Sequence, residues 1–120
     1  AQALIGRYAA LKATSVALAF VKALSGGHFI SASSYLSPTL AADFSPAILQ
    51  QRWQDLERQT GQFIGTEGAV MAENTPEQKL VLVTSRFNRL TDRLFVILDN
   101  QNRIIGVDFP EDAAPQPVGR

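Results

Sequence analysis

The sequence predicts an α+β domain in which three N-terminal helices pack on one face of a curved four-stranded antiparallel sheet. The first 60 residues carry apolar side chains at helical spacing, whereas from Phe63 onward the pattern changes to the alternation that is typical of strands. The segments that join the strands hold only a few residues, and a parallel crossover needs about a dozen or more. The strands are therefore expected to be antiparallel neighbours in a meander.

Composition and charge indicate one domain and exclude some partners. A chain of 120 residues with 46% hydrophobic residues is long enough to bury a core and too short for two domains. Eleven Lys and Arg balance eleven Asp and Glu, and this net charge of +0 argues against nucleic acid as a partner. Only 18% of the residues are charged, which is below the usual quarter and leaves little charge to cover the surface.

The first predicted helix covers residues 4–24, where Ala, Leu, Lys and Phe dominate and neither glycine nor proline follows Gly6. Gly26 and Gly27 end it, because glycine adopts the left-handed conformation of a helix C-terminus without a Cβ clash. A second, shorter helix is expected over residues 28–36. Ser37 and Pro38 close it.

The third predicted helix follows an irregular turn of helix over residues 36–45, which Leu40 and Phe44 dock against the core. Ser45 and Pro46 begin this helix, since the serine oxygen accepts an unpaired backbone N–H and proline suits the first helical position. It runs to about residue 60. Three residues at i, i+4 and i+7 form its apolar face: Leu49, Trp53 and Leu56.

Four strands are predicted in the second half of the chain, over residues 63–72, 80–88, 93–98 and 103–109. Turn-forming residues separate them at 74–76, 90–92 and 99–102. The domain is expected to cover residues 1–110. Residues 111–120, which are rich in proline and alanine, are expected to form a flexible tail.

The sequence indicates neither a membrane span nor a compartment. The most apolar stretch has an uncharged run only over residues 13–21, between Lys12 and Lys22, and a bilayer requires roughly 20 apolar residues. The absence of cysteine is compatible with the cytoplasm and equally with the periplasm or secretion. Because the chain begins with Ala-Gln-Ala rather than Met, we expect its native N-terminus to have been removed.

Several short phrases along the chain resemble a known family. They are AFVKALSGGHF at 19–29, LSP at 36–38, the segment from Trp53 to GQF at 61–63, FVILD at 95–99 and RIIG at 103–106. Over residues 13–110 the chain resembles an uncharacterised bacterial family of NTF2-like (cystatin-like cone) domains, which occur alone or ahead of an α/β-hydrolase domain. The resemblance implies a conical half-barrel with a cavity between sheet and helices. It supplies no catalytic residue, because that family has no established activity.

The sequence offers few groups for catalysis. His28 is the only histidine and no Gly-x-Ser-x-Gly motif is present, so no nucleophilic triad is predicted, and His28 is expected to begin the second helix. One histidine and no cysteine predict neither a metal site nor a cofactor. NTF2-like enzymes place an acid or base inside the cone, and Glu67 and Asp108 are the only candidates at strand positions, although solvated strand faces explain both more simply. An isomerase, a dehydratase or a carrier that uses the cone is therefore the alternative function.

Five aromatic residues are candidates for lining a pocket that binds a small apolar ligand: Tyr35, Trp53, Phe63, Phe87 and Phe95. The same side chains are what a domain of this size needs for its core, because burial of one large apolar side chain contributes about 1.5 to 3 kcal/mol. Core packing is the favoured interpretation.

The functional prediction depends on the strands. Strands two to four carry apolar residues at both sets of alternating positions, as Leu80 and Leu82 do beside Val81 and Val83. Helices cover only one face of such a sheet, and in a monomer the other face should carry polar residues. Something must therefore cover the second apolar face, and another copy of the chain is the simplest partner. We expect a non-catalytic binding or assembly module that forms a homodimer through the outer face of its sheet.

Overall fold

A computed structural model of the protein describes residues 2–108, with side chains from residue 12 onward. Within these residues four helices precede four strands: α1 (Gln2–Ser25), α2 (Phe29–Ser33), α3 (Pro38–Asp43), α4 (Pro46–Thr60), β1 (Phe63–Asn74), β2 (Gln78–Phe87), β3 (Thr91–Asp99) and β4 (Ile104–Asp108). The sheet is open and antiparallel, with the strand order β1-β2-β3-β4. The predicted α+β class and the meander are thereby confirmed.

Ser-Pro pairs begin two of the helices. The Oγ of Ser37 accepts the backbone N–H of Leu40 at 3.2 Å, and the Oγ of Ser45 accepts that of Ile48 at 3.3 Å. Proline lies in the first turn of both helices, where its missing N–H has no partner to lose. The predicted irregular turn of helix over residues 36–45 is the regular helix α3, and the described chain has four helices where three were predicted. Ser37 and Pro38, expected only to end one helix, also begin the next.

Helix α2 ends at Ser33, before the predicted end at residue 36, because the chain pairs with the sheet at this point. Leu36 forms a parallel bridge with Ile104. The Ser37 N–H donates to the Ile104 carbonyl at 2.8 Å, and the Ile104 N–H donates to the Tyr35 carbonyl at 3.0 Å. These bonds satisfy backbone groups on the edge of β4 that would otherwise be unpaired.

Strands β2 and β3 begin two residues earlier than the predicted positions 80 and 93. Their ladder continues without interruption from the pair Gln78–Asp99 to the pair Arg86–Thr91. Each added residue gains a cross-strand partner, which outweighs the weak strand propensity of Lys79 and Asp92. The predicted tail over residues 111–120 lies outside the described residues.

One hydrophobic core joins the helices to one face of the sheet. Its largest fully buried side chains come from α1, α4 and alternate positions of the strands: Phe20, Val21, Leu24, Leu49, Leu56, Val81, Val83, Leu94, Val96, Leu98 and Ile104. Successive side chains of a strand point to opposite faces. The burial of these alternate positions therefore defines an inner face, and the residues between them point away from the helices.

Candidate functional site

Three of the five aromatic residues predicted to line a pocket pack against one another. The ring centroid of Trp53 lies 5.4 Å from that of Phe63 and 6.0 Å from that of Phe87, and the two Phe rings lie 5.6 Å apart, edge to face. Trp53 and Phe87 are only 3% and 4% exposed. The space beside Trp53 is therefore occupied by phenylalanine rings at the separations that aromatic pairs prefer.

The turn between α4 and β1 brings these rings together. Gly61 ends α4 at φ +91°, and a Cβ there would lie 2.9 Å from the backbone nitrogen of Arg89, so this turn requires glycine. The Glu57 carboxylate then accepts the Phe63 N–H at 3.0 Å. Because Phe63 pairs directly with Phe87 across the β1–β2 ladder, both rings meet the apolar face of α4.

The other two predicted lining residues lie elsewhere. Tyr35 is half-buried after α2 and packs against the core beside β4, where its carbonyl accepts the Ile104 N–H. Phe95 lies between the buried residues Leu94 and Val96, so its ring points to the outer face and is 39% exposed. The structure thus brings Trp53 together with two of its predicted neighbours and places Phe95 on the opposite side of the sheet.

Both carboxylates that were candidates for an acid inside the cone lie on the outer side of the sheet. Glu67 is half-exposed, and its Oε2 lies 3.2 Å from the Nε of Arg86, a residue between the buried positions of β2. Asp108 pairs with Phe95 across the β3–β4 ladder. Directly paired residues share a face, so Asp108 also points away from the helices.

His28 is exposed and occupies the N-cap of α2, which confirms its predicted place at the start of the second helix. Its carbonyl accepts the Ala32 N–H at 2.9 Å, while its side chain makes no capping hydrogen bond. In the part of the chain that the structure describes, no three His, Cys, Asp or Glu side chains are close enough to hold a metal ion. The helices of the same part include none that is long and apolar enough to cross a membrane.

The outer face of the sheet carries apolar side chains that point away from the helices. We define the outer apolar face as the five apolar residues whose positions in the ladders turn them away from the helices: Val70, Leu80, Leu82, Phe95 and Ile97. Val70 is 63% exposed, and the leucines and Ile97 are half-buried. The cross-strand pairs Val70–Leu82, Leu82–Phe95 and Leu80–Ile97 make these side chains contiguous. A contiguous exposed apolar patch of this kind is typical of an interface.

A hydrogen-bonded clip closes one end of β3 and β4. Oδ1 of Asp99 accepts the backbone N–H groups of Gln101 and Arg103, each at 2.9 Å, and Oδ2 accepts the Arg103 Nε at 2.9 Å. Partial burial by itself raises the pKa of the Asp99 carboxyl, but the Arg103 N–H and guanidinium, together with the Gln101 N–H, outweigh it and hold the pKa below its ordinary value. The carboxylate therefore stabilises the hairpin turn between β3 and β4, which lies at the predicted turn over residues 99–102.

Two residues of the outer surface escaped the sequence interpretation. Val70 was not singled out, because β1 has register shifts near Ile64, Glu67 and Ala72 that break the alternation of its letters. Phe95 was assigned to the interior, because both sets of alternating positions in β3 are apolar and the pattern does not show which set the helices cover. The functional assignment rests on this geometry, since no protein-family model, no curated protein and no solved structure matches the chain.

Proposed function

We propose that the protein is a non-catalytic binding or assembly module of the NTF2-like (cystatin-like cone) type, and that it forms a homodimer through the outer apolar face. The observation that carries the proposal is the position of five contiguous apolar side chains on the face that the helices leave open. Phe95 and Val70 expose 39% and 63% of their surface there. Covering them stabilises the assembly by about 25 cal/mol for each Å² removed from water.

The extent of this face supports a specific dimer. The whole outer side of the sheet, whose four strands lie about 4.8 Å apart and average about 30 Å in length, presents roughly 570 Å² per copy. Two copies packed face to face would bury roughly 1,100 Å², and a biological interface should clear about 1,000 Å². A second copy also brings the same patch to the contact, which is what a two-fold symmetric interface requires.

The interior supports a module without catalysis of its own. The rings of Phe63 and Phe87 pack on Trp53 where an open cone would offer room for a substrate. Glu67 and Asp108, the candidate acids, lie on the outer side of the sheet. Both observations favour the binding module over the isomerase or dehydratase alternative.

Light scattering coupled to gel filtration at micromolar concentration tests the proposal. We expect a mass of twice 13.0 kDa for the wild type. Val70→Glu should yield a monomer, because each copy would bury an unpaired carboxylate in the contact. Ile30→Glu is the matched control, since Ile30 is 80% exposed on α2 and should leave the dimer intact. A wild-type protein that runs as a monomer would refute the proposal.

A further inference from the structure

The outer face of the sheet is not flat. Its ridge is the row Val70–Leu82–Phe95, three large side chains paired across β1, β2 and β3. The neighbouring row, Gly68–Thr84–Arg93, has no side chain at Gly68, a short one at Thr84 and an exposed arginine at its third position. Beside the ridge lies an open groove of about 530 Å³, lined by Val70, Leu82, Thr84, Thr91, Asp92 and Arg93.

The ridge and the groove have matching dimensions. The ridge crosses β1, β2 and β3, and the residues that line the groove come from the same three strands, which span about 10 Å. The two rows are separated by two residues along each strand, or roughly 6.6 Å. They therefore run side by side across the sheet with the same length.

Two copies can pack face to face about a two-fold axis that lies between their sheets, runs across the strands and passes midway between the two rows. This axis places the ridge of each copy over the groove of the other. Each copy then presents its ridge to the other's groove, and both contacts form at once. A peptide or small ligand in the groove would leave the ridge of the same molecule exposed, whereas a second copy covers both. This self-complementarity favours another copy as the occupant.

Building on the proposed homodimer, we infer that the ridge of each copy packs into the groove of the other. In this arrangement Leu82 lies over Thr84 of the second copy, and Val70 lies over its Gly68. Phe95 lies over the guanidinium of Arg93 in the other copy, a contact between a cation and an aromatic face. The strand axes of the two sheets are nearly aligned in this arrangement, as in aligned sheet packing.

Filling the groove tests this inference separately from the dimer itself. Thr84→Trp should weaken dimerisation at least about tenfold in Kd, because an overpacked contact cannot close. Ile30→Trp is the matched control, since Ile30 is 80% exposed on α2, away from the sheet, and this variant should change Kd by less than about threefold. Both Kd values come from sedimentation equilibrium, and circular dichroism shows whether each variant is folded.

A cross-linking measurement gives an independent readout. The chain has no cysteine, so each single substitution introduces one thiol per copy. With a short bis-maleimide, a mixture of Leu82→Cys and Thr84→Cys should cross-link faster than either variant alone, because these positions face each other across the axis. Fastest cross-linking of Leu82→Cys alone would overturn the inference in favour of ridge-to-ridge contact.

The outcomes separate the two proposals. A monomeric wild type refutes the homodimer and this packing with it. A dimer that Val70→Glu dissociates, but that Thr84→Trp weakens no more than Ile30→Trp, refutes only the packing of ridge into groove.

Discussion

Truncation of Phe95 should weaken the dimer strongly. A phenylalanine presents about 200 Å² of surface, and Phe95 is 39% exposed in the single chain. About 80 Å² thus remains for a partner to cover, which at 25 cal/mol per Å² amounts to about 2 kcal/mol per copy. A two-fold interface contains the residue twice, so the full contribution is about 4 kcal/mol.

Phe95→Ala should therefore raise Kd between about 100-fold and about 1,000-fold, since alanine retains part of the contact. Sedimentation equilibrium over a range of concentrations measures the change. The free energy of unfolding of the isolated monomer should fall as well, because at 39% exposure most of the residue is covered within the single chain. A variant that loses monomer stability without losing affinity would show that the ring serves the fold and not the interface.

The matched control is Ile30→Ala. Ile30 is more exposed than Phe95, at 80%, but lies on α2 away from the sheet. Its truncation should leave Kd unchanged. If Phe95→Ala shifts Kd by less than about tenfold while the wild type is a dimer, the interface lies on another surface.

Three further predictions concern stability, each measured by chemical denaturation. Ser45→Ala should lower the free energy of unfolding by about 1 kcal/mol, because the Ile48 N–H loses its cap, whereas Ser31→Ala on exposed α2 should change it little. Trp53→Ala should lower it by about 3 to 5 kcal/mol, and Trp53→Phe by clearly less, because the aromatic cluster keeps two of its rings plus a third, smaller one. Asp99→Asn should destabilise the protein at neutral pH, and the difference from wild type should shrink as the pH is lowered.

The sign of the pH effect follows from the direction of the Asp99 pKa. A carboxyl whose pKa is lower in the folded state adds stability above its ordinary pKa of 3.8 and loses it as the pH falls through the lower, folded value. Near neutral pH the carboxylate holds both backbone N–H groups and the Arg103 guanidinium. A difference between wild type and Asp99→Asn that stays constant down to the lowest accessible pH would show that the charge is not involved.

Much of the local structure was readable from the sequence because it depends on neighbours along the chain. Ser45 and Pro46 supply a cap and a preset φ, and the resulting α4 runs to Thr60 as predicted. Asp99 and the turn after it likewise act within five residues. Such signals are local, so they do not depend on where the rest of the chain lies.

The identity of the two sheet faces was less accessible. Alternating apolar positions in β2 and β3 indicate that both faces are apolar, but not which one the helices cover. A strand shows the same periodicity for either orientation, and only contact with α1 and α4 buries Val81 and Val83 rather than Leu80 and Leu82. For the same reason Phe95 was assigned to the interior, although it lies on the outer face.

By itself, the sequence determined the α+β class, the meander and the presence of more apolar strand residues than one covered face can use. Short connections and the change of period from helix to strand are enough for these, because they act over a few residues. Only the tertiary structure decided that the ring of Trp53 is enclosed by Phe63 and Phe87, and that Val70, Leu82 and Phe95 form one row across three strands. Those contacts join residues that are far apart in the chain. They depend on the register between strands, which β-bulges in β1 shift, and no local sequence pattern encodes such shifts.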